Sequence, residues 1–120
     1  MFDFEKLEVY QKLFNLNTDV LSHLASSVQI DVYLKDQLKR ATLSAALNLA
    51  EGTGRVSSAD KKRFYVIARS SIFESVAILQ VMESTGNVSR EIYDDWYGQY
   101  ETVSKMLLSM YRNVKDTRDE

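Results

Sequence analysis

Hydrophobic residues between positions 34 and 50 fall on two sides of a predicted helix. At about 100° per residue, one arc collects Leu34, Leu38, Ala41, Ala45 and Leu49, and a roughly opposite arc collects Leu43, Ala46, Leu47 and Ala50. A helix that is apolar nearly all round is usually buried on more than one side. We therefore predict that the first arc packs inside the domain and that the second arc is a subunit interface.

Three other segments repeat apolar residues every three or four positions, which is typical of amphipathic helices. Over residues 4–25 the predicted core positions are Leu7, Tyr10, Phe14, Asn17, Leu21 and Leu24, flanked by Leu13, Leu16 and Val20. Over 58–85 they are Phe64, Ile67, Ala68, Ser71, Ser75, Ile78 and Met82. Over 89–115 they are Ile92, Trp96, Tyr100, Val103, Leu107, Met110 and Val114. With the helix at 32–52, the sequence predicts four helices.

The segments between these helices are short and rich in capping residues. Asp31, Ser57 or Ser58, and Ser89 are placed to cap the later helices, and Gly86-Asn87 is a C-terminal signal. Gly52 and Gly54 should end the second helix in the left-handed conformation. Short loops imply antiparallel neighbours, so we predict an all-α, up-down four-helix bundle in one domain over 1–120. The charged residues 115–120 should fray.

Composition narrows the chemistry. The chain has 120 residues, 45% of them hydrophobic, with no cysteine, no proline and one histidine. Disulfides and thiolate metal sites are therefore excluded. No uninterrupted apolar run of about 18 residues is present and no signal peptide is evident, so we expect a cytoplasmic protein without a membrane span. His23 lacks the acidic partner of a Glu-x-x-His pair, and we expect it at the surface or as a cap, with no metal or cofactor.

Polar residues form one stripe on the second helix. We expect Arg40, Ser44, Asn48 and Glu51 to be either the solvated side of the helix or a hydrogen-bonded network with Ser70 and Glu74 of the third helix. Arg40 suits a bidentate contact with Glu51 or Glu74. The sharper alternative is a ligand or catalytic pocket, but no nucleophile–base pair accompanies the stripe. We therefore predict a protein that is not an enzyme.

Basic residues are concentrated after the second helix. Arg55, Lys61, Lys62 and Arg69 are candidate contacts for a phosphate backbone, and Arg55 precedes the positive N-terminal end of the third helix. The alternative is a solvated face with local salt bridges. The aromatic residues Trp96, Tyr97, Tyr100 and Tyr111 are expected in the core and at interfaces.

A family resemblance rests on residues across most of the chain. They are Phe4 to Gln11, Gln37 to Ala41, Ser44, Asn48 to Gly52, Gly54-Arg55, Arg63-Phe64, Ala68 to Ser71, and Glu74. This pattern resembles the bacterial four-helix-bundle proteins encoded in intervening sequences of large-subunit ribosomal RNA genes. The resemblance implies a homopentameric ring without known enzymatic activity. A similar fold occurs in the accessory variability determinant of diversity-generating retroelements, which implies RNA or DNA as an alternative partner.

Two functional hypotheses follow from these observations. The first is a non-enzymatic bundle that associates with itself, because the second apolar arc exceeds what one small bundle should bury. The second is a nucleic-acid-binding accessory protein that uses the basic region 55–69. The pentameric stoichiometry is implied by the resemblance alone, since helical periodicity does not specify a number of subunits.

Overall fold

The computed structural model describes residues 1–115, in which four α-helices are joined by short loops. The helices are α1 (Glu8–Ser26), α2 (Val32–Thr53), α3 (Ser58–Ser84) and α4 (Arg90–Arg112). Each packs against its neighbours in the chain, and α1 also packs against α4, which closes a bundle 54 Å long. The predicted all-α, single-domain four-helix bundle is confirmed. Of the tail that we expect to fray, residues 116–120 lie outside the described part of the chain.

Side-chain caps fix where three of the helices begin. The carboxylate of Asp31 and the hydroxyls of Ser57 and Ser89 each accept a hydrogen bond from a backbone amide in the first turn of α2, α3 and α4. The other end of α3 is closed at Gly86, whose φ of 76° is left-handed. The amide of Asn87 then donates to the carbonyl of Met82 over 2.7 Å, which satisfies a carbonyl at the helix end.

The chain does not enter α1 directly. The prediction of a helix from residue 4 is wrong for its first turn, because Asp3–Lys6 form a separate 3-10 turn and Leu7 is extended. Within that turn the amide of Phe2 donates to a carboxylate oxygen of Glu5 over 2.7 Å. The ring of Phe4 packs edge-on against Tyr10, with centroids 4.8 Å apart. These contacts fold the first residues back beside α1 instead of extending it.

The glycines at the end of α2 differ from the prediction. Neither is left-handed: α2 continues through Gly52 to Thr53, and Gly54 has a right-handed φ of −87°. Gly52 is buried, and a Cβ there would lie 2.6 Å from Tyr65 Cε1 and 2.9 Å from Phe64 Cβ. The missing side chain at Gly52 therefore allows α2 and α3 to approach closely beside their short connection.

The core is built from the arcs that face two neighbouring helices at once. Its fully buried large side chains are Leu13, Leu16, Val20, Leu24, Leu38, Leu49, Ile72, Leu79, Met82, Trp96, Tyr100 and Leu107. Two predicted core residues lie outside it, since Phe14 is 55% exposed and Ile67 is 36% exposed. Both α1 and α3 carry a broad apolar surface, and the other helices cover only the part that faces the inside of the bundle. On α3, Ile72 is buried although the predicted core of that helix omitted it.

Candidate interaction surfaces

The polar stripe of α2 faces α3 along the outside of the bundle. The hydroxyls of Ser44 and Ser71 are 3.0 Å apart, and Asn48 Nδ2 donates to both the carbonyl and the hydroxyl of Ser44. One turn away, Arg40 Nη2 lies 3.4 Å from Glu74 Oε1, with both side chains substantially exposed. We call these five residues the outer ladder. Its members hydrogen-bond to one another, which supports a structural role for the stripe.

Two predicted members of this network lie elsewhere. Ser70 is exposed and has no hydrogen-bond partner within residues 1–115, whereas its neighbour Ser71 contacts α2. One residue turns a helix by about 100°, so only one of two consecutive serines can face the neighbouring helix. Glu51 pairs with Arg55 at 2.6 Å rather than with Arg40.

The first basic residues after α2 are held by local partners. Besides its ion pair with Glu51, the guanidinium of Arg55 lies over the ring of Phe64 at 4.5 Å. The ammonium of Lys61 donates to the carbonyl of Thr53 over 2.9 Å. This places a cation at the C-terminal end of α2, where the helix dipole is negative and stabilises it. Both side chains therefore stabilise the turn between α2 and α3.

The remaining basic candidates face α4. Lys62 Nζ lies 5.4 Å from the ring centroid of Tyr111. The guanidinium of Arg69 lies over Phe73 at 4.7 Å, and its Nε donates to the carbonyl of Ser104 over 3.3 Å. The four predicted nucleic-acid contacts thus divide between two places, and the structure brings only Lys62 and Arg69 to one face.

The large side chains of the second apolar arc of α2 lie outside the bundle, whereas Ala46 of the same arc packs against the core. Leu43 is 44% exposed and Leu47 is 59% exposed, and the half-buried Ala46 and Ala50 accompany them. We call these four residues the α2 outer arc. Most large apolar side chains that the described helices expose lie on α2 and α3: Val32, Tyr33, Leu43, Leu47, Val66, Ile67, Phe73 and Val81. The single chain therefore leaves apolar side chains exposed on the outer surfaces of both α2 and α3.

A second polar cluster is buried at mid-height and joins all four helices. Asn17 Nδ2 donates to the carbonyl of Thr42 over 2.7 Å, and the hydroxyl of Thr42 donates to Asn17 Oδ1 over 2.5 Å. The Thr42 hydroxyl is also 2.9 Å from the hydroxyl of Tyr100, which hydrogen-bonds Ser75 as well. We call these four residues the inner node. All are buried, and no buried side-chain polar atom within residues 1–115 lacks a partner.

Burial controls the ionisation of the inner node. It raises the pKa of Tyr100 to about 12, although the hydrogen bonds that Tyr100 makes with Thr42 and Ser75 oppose the shift. The phenol therefore stays neutral at any ordinary pH. Sequence reasoning placed Asn17, Ser75 and Tyr100 on core stripes but did not connect them. A detectable signal was that each is polar and lies near the middle of a different helix.

The single histidine packs inside a cleft rather than acting as a cap. The ring of His23 is half-buried and meets the ring of Trp96 edge-on, with centroids 5.4 Å apart. The indole Nε1 of Trp96 in turn donates to Asp19 Oδ2 over 3.1 Å. In the part of the chain that the structure describes, no group of three or more His, Asp or Glu side chains is placed to hold a metal ion.

Helix α3 leaves four large apolar side chains exposed, which are Val66, Ile67, Phe73 and Val81. Of the helices in residues 1–115, it alone is long and apolar enough to cross a membrane, although core helices of soluble proteins also meet this criterion. Our expectation that no segment spans a membrane rested on the lack of an uninterrupted apolar run, and it stays a prediction. Only 33% of the 18-residue apolar stretch that meets this criterion is buried within the bundle.

These features define a class of protein: residues 1–115 form a small all-α bundle whose buried polar side chains have partners and whose outer surface is partly apolar. The chain belongs to the 23S rRNA-intervening sequence protein family, whose model matches residues 5–109. This confirms the resemblance noted in the sequence.

A solved structure supports the same fold. The chain is similar to a protein of unknown function in the S23 ribosomal protein family from Bacteroides thetaiotaomicron, with a TM-score of 0.80. The two are 21% identical, and the match covers 88% of this chain and 99% of the other. At this identity the similarity shows the fold alone. No curated protein matches the chain.

Proposed function

We propose that this protein is a non-enzymatic, cytoplasmic four-helix bundle that associates with itself through the α2 outer arc and forms a homopentameric ring. The observation that supports this proposal is the exposure of Leu43 and Leu47 beside two alanines. Large side chains next to small ones give a helix surface with ridges and grooves, against which a second helix can pack. The family resemblance supplies the expected number of subunits.

The energetic argument concerns the cost of leaving this face in water. Burying a leucine completely is worth about 1.5–3 kcal/mol, and both leucines are about half exposed. The outer arc alone is smaller than a stable interface, which buries about 1,200–2,000 Å² in total. Two other exposed apolar residues, Ile67 and Val81 of α3, provide additional area.

Ring formation places a further demand on the interface. A ring requires a heterologous contact, in which different surfaces of two copies meet. The rotation from one subunit to the next must also bring the last subunit back to the first. In this proposal the α2 outer arc of each subunit covers a different surface of the next subunit. A twofold dimer would instead place α2 against α2, so the measured mass distinguishes these assemblies.

Sedimentation velocity and light scattering test the proposal at micromolar concentration. We expect the unmodified chain to have a mass near five times the 13.8 kDa of one subunit. Leu47→Glu should shift the mass to that of a monomer, because a carboxylate would be buried in the contact. The matched control is Val28→Glu, since Val28 is 93% exposed in the α1–α2 loop, and it should leave the mass unchanged. A monodisperse unmodified monomer would contradict the proposal.

The nucleic-acid alternative draws less support from the geometry. Arg55 and Lys61 are engaged at the α2–α3 turn, away from Lys62 and Arg69. Its direct test is binding of RNA and DNA as a function of salt, with Lys61, Lys62 and Arg69 each changed to Glu. Binding that weakens with salt and with these changes would favour the alternative over simple self-association.

A further inference from the structure

A groove lies between α3 and α4, away from the α2 outer arc. It consists of two adjoining concavities of about 330 Å³ and about 220 Å³, which share Arg69 and Phe73. We call this surface the α3–α4 groove. Three of its apolar side chains remain accessible, since Phe73 is 56%, Val66 is 48% and Tyr97 is 37% exposed. The groove can therefore bury apolar groups of a ligand.

Two cations of this groove and one beside it lack partners of opposite charge: Arg69 and Lys105 line the groove, and Lys62 lies next to it over Tyr111. Within residues 1–115, Lys62, Arg69 and Lys105 have no carboxylate oxygen within 4.0 Å. The arginines that do have a carboxylate partner are Arg40, Arg55, Arg63 and Arg90. Glu101 is the one carboxylate among the described residues that line the two concavities. The local charge therefore complements an acidic ligand.

The geometry of Arg69 leaves it ready to bind a carboxylate. Its guanidinium is held over Phe73 while Nε donates to the carbonyl of Ser104, so the side chain is fixed from one side. Neither terminal nitrogen has a partner among the described residues. Paired terminal nitrogens are the donors that arginine offers to a carboxylate.

The same contacts argue against a nucleic acid in the groove. Base stacking uses aromatic faces, and Arg69 and Lys62 cover one face of Phe73 and one face of Tyr111, respectively. Carboxylates can reach the outer sides of these cations without displacing either cation from its ring.

We propose that the α3–α4 groove binds an acidic amphipathic helix of a partner protein. Apolar side chains on one face of that helix contact Phe73, Val66 and Tyr97, as in other helix-in-groove complexes. Its flanking carboxylates pair with Arg69, Lys62 and Lys105. This activity is independent of self-association through α2, and each can fail without the other.

Fluorescence anisotropy with a labelled synthetic peptide of about 16 residues tests the proposal. The peptide carries leucines at i, i+3, i+4 and i+7, with glutamates beside them. Two comparison peptides are a scrambled one of the same composition and one with lysines in place of the glutamates. We expect the acidic amphipathic peptide to bind at protein concentrations up to about 100 μM, and at least tenfold more tightly than the other two.

Matched variants locate the binding to the groove. Arg69→Gln should weaken binding about tenfold, whereas Arg63→Gln should change it less than about twofold, because Arg63 already pairs with Asp60. Phe73→Ala should also weaken binding, and its control is Phe14→Ala, since Phe14 is equally exposed on α1. Circular dichroism checks that each variant folds. If Phe73→Ala unfolds the bundle, the arginine pair decides the outcome.

Several results would overturn this inference. One is equal binding of the scrambled peptide, and another is equal loss with Arg63→Gln and Arg69→Gln. A third is a labelled oligothymidylate that binds the protein, displaces the peptide and loses affinity with Arg69→Gln, which would assign the groove to nucleic acid. Leu47→Glu should bind the peptide normally even as a monomer, which separates failure of this inference from failure of the assembly proposal.

Discussion

Two polar clusters connect α2 to α3, and they do so in very different surroundings. The outer ladder joins Ser44 to Ser71 and Arg40 to Glu74 along the surface, where water competes for every group. The inner node joins one side chain from each of the four helices where no water reaches them. The number of hydrogen bonds is similar, so their comparison isolates the effect of burial.

Burial should make the inner node the more consequential cluster. A typical hydrogen bond contributes about 1 kcal/mol net, but a buried group that loses its partner costs about 1–3 kcal/mol. An exposed ion pair such as that between Arg40 and Glu74 contributes between 0 and about 1 kcal/mol. The inner node also requires all four helices in one register, because its four hydrogen-bonding groups meet at a single level.

The largest expected effect is that of Thr42→Val. The substitution keeps the shape of the side chain but removes the hydroxyl that contacts both Asn17 and Tyr100. We expect the free energy of unfolding to fall by about 3 kcal/mol, since two buried groups lose a partner. Urea unfolding measures this best in the Leu47→Glu background, where assembly should not contribute. A loss under about 1 kcal/mol would remove the proposed contrast between the two clusters.

The next largest effect is that of Tyr100→Phe, whose cost in stability is smaller at neutral pH and changes at alkaline pH. Tyr100→Phe should cost about 1 kcal/mol at pH 7, the typical value of one hydrogen bond. The pKa of Tyr100 is 10.0 in the unfolded chain and about 12 in the fold. Its neutral form therefore stabilises the fold fully below pH 10, and this contribution is lost as the pH rises through 12.

The alkaline measurement compares the two proteins directly. Between pH 10 and pH 12, the free energy of unfolding of the unmodified protein should fall by up to about 3 kcal/mol more than that of the Tyr100→Phe variant. Every other residue is the same in both proteins, so the difference reports Tyr100 alone. Parallel curves would mean that Tyr100 is not held neutral by burial.

The sequence indicated part of one cluster and missed the other for a physical reason. The outer ladder lies on one helix face at helical spacing, so Arg40, Ser44 and Asn48 are visible as a stripe. The inner node takes one residue from each helix, and its assembly depends on how the helices align along their axes. Periodicity gives the direction of a side chain around a helix but not its height relative to other helices.

The fold itself was predictable for the same reason. Four segments with a period of 3.6 residues, capping residues between them and short loops leave few architectures besides an up-down bundle. What the pattern could not fix was which part of a broad apolar surface turns inward. Phe14 lies outside the core although its spacing fits, because the neighbouring helices cover Leu13 and Leu16 instead.

Gly52 shows a limit of interpreting glycines from sequence. A glycine near the end of a helix suggests a left-handed cap, yet this one is helical and sits against Tyr65 and Phe64. The requirement comes from the distance between α2 and α3, which no local pattern contains.

A smaller effect is expected from Ser44→Ala in the outer ladder. This change removes the contact with Ser71 and one of the two acceptors of Asn48. Water can replace both, because all three side chains are half-buried. We expect a loss of about 0.5 kcal/mol in urea unfolding. If the loss equals that of Thr42→Val, access of water is not what separates the two clusters.

The smallest expected effect is the coupling between Arg40 and Glu74. Their side chains are 62% and 47% exposed, and the closest nitrogen and oxygen are 3.4 Å apart. A double-mutant cycle with Arg40→Ala and Glu74→Ala should give a coupling of about 0.3 kcal/mol, which falls further in about 1 M salt as the Debye length shortens to about 3 Å. Arg40 also donates to Gln37 over 2.7 Å, so the single substitution Arg40→Ala removes more than the ion pair. The cycle subtracts that second contact. A salt-independent coupling above about 1 kcal/mol would show that a partner covers this pair and excludes water from it, and the α2 side of the bundle is where our proposal places the neighbouring subunit.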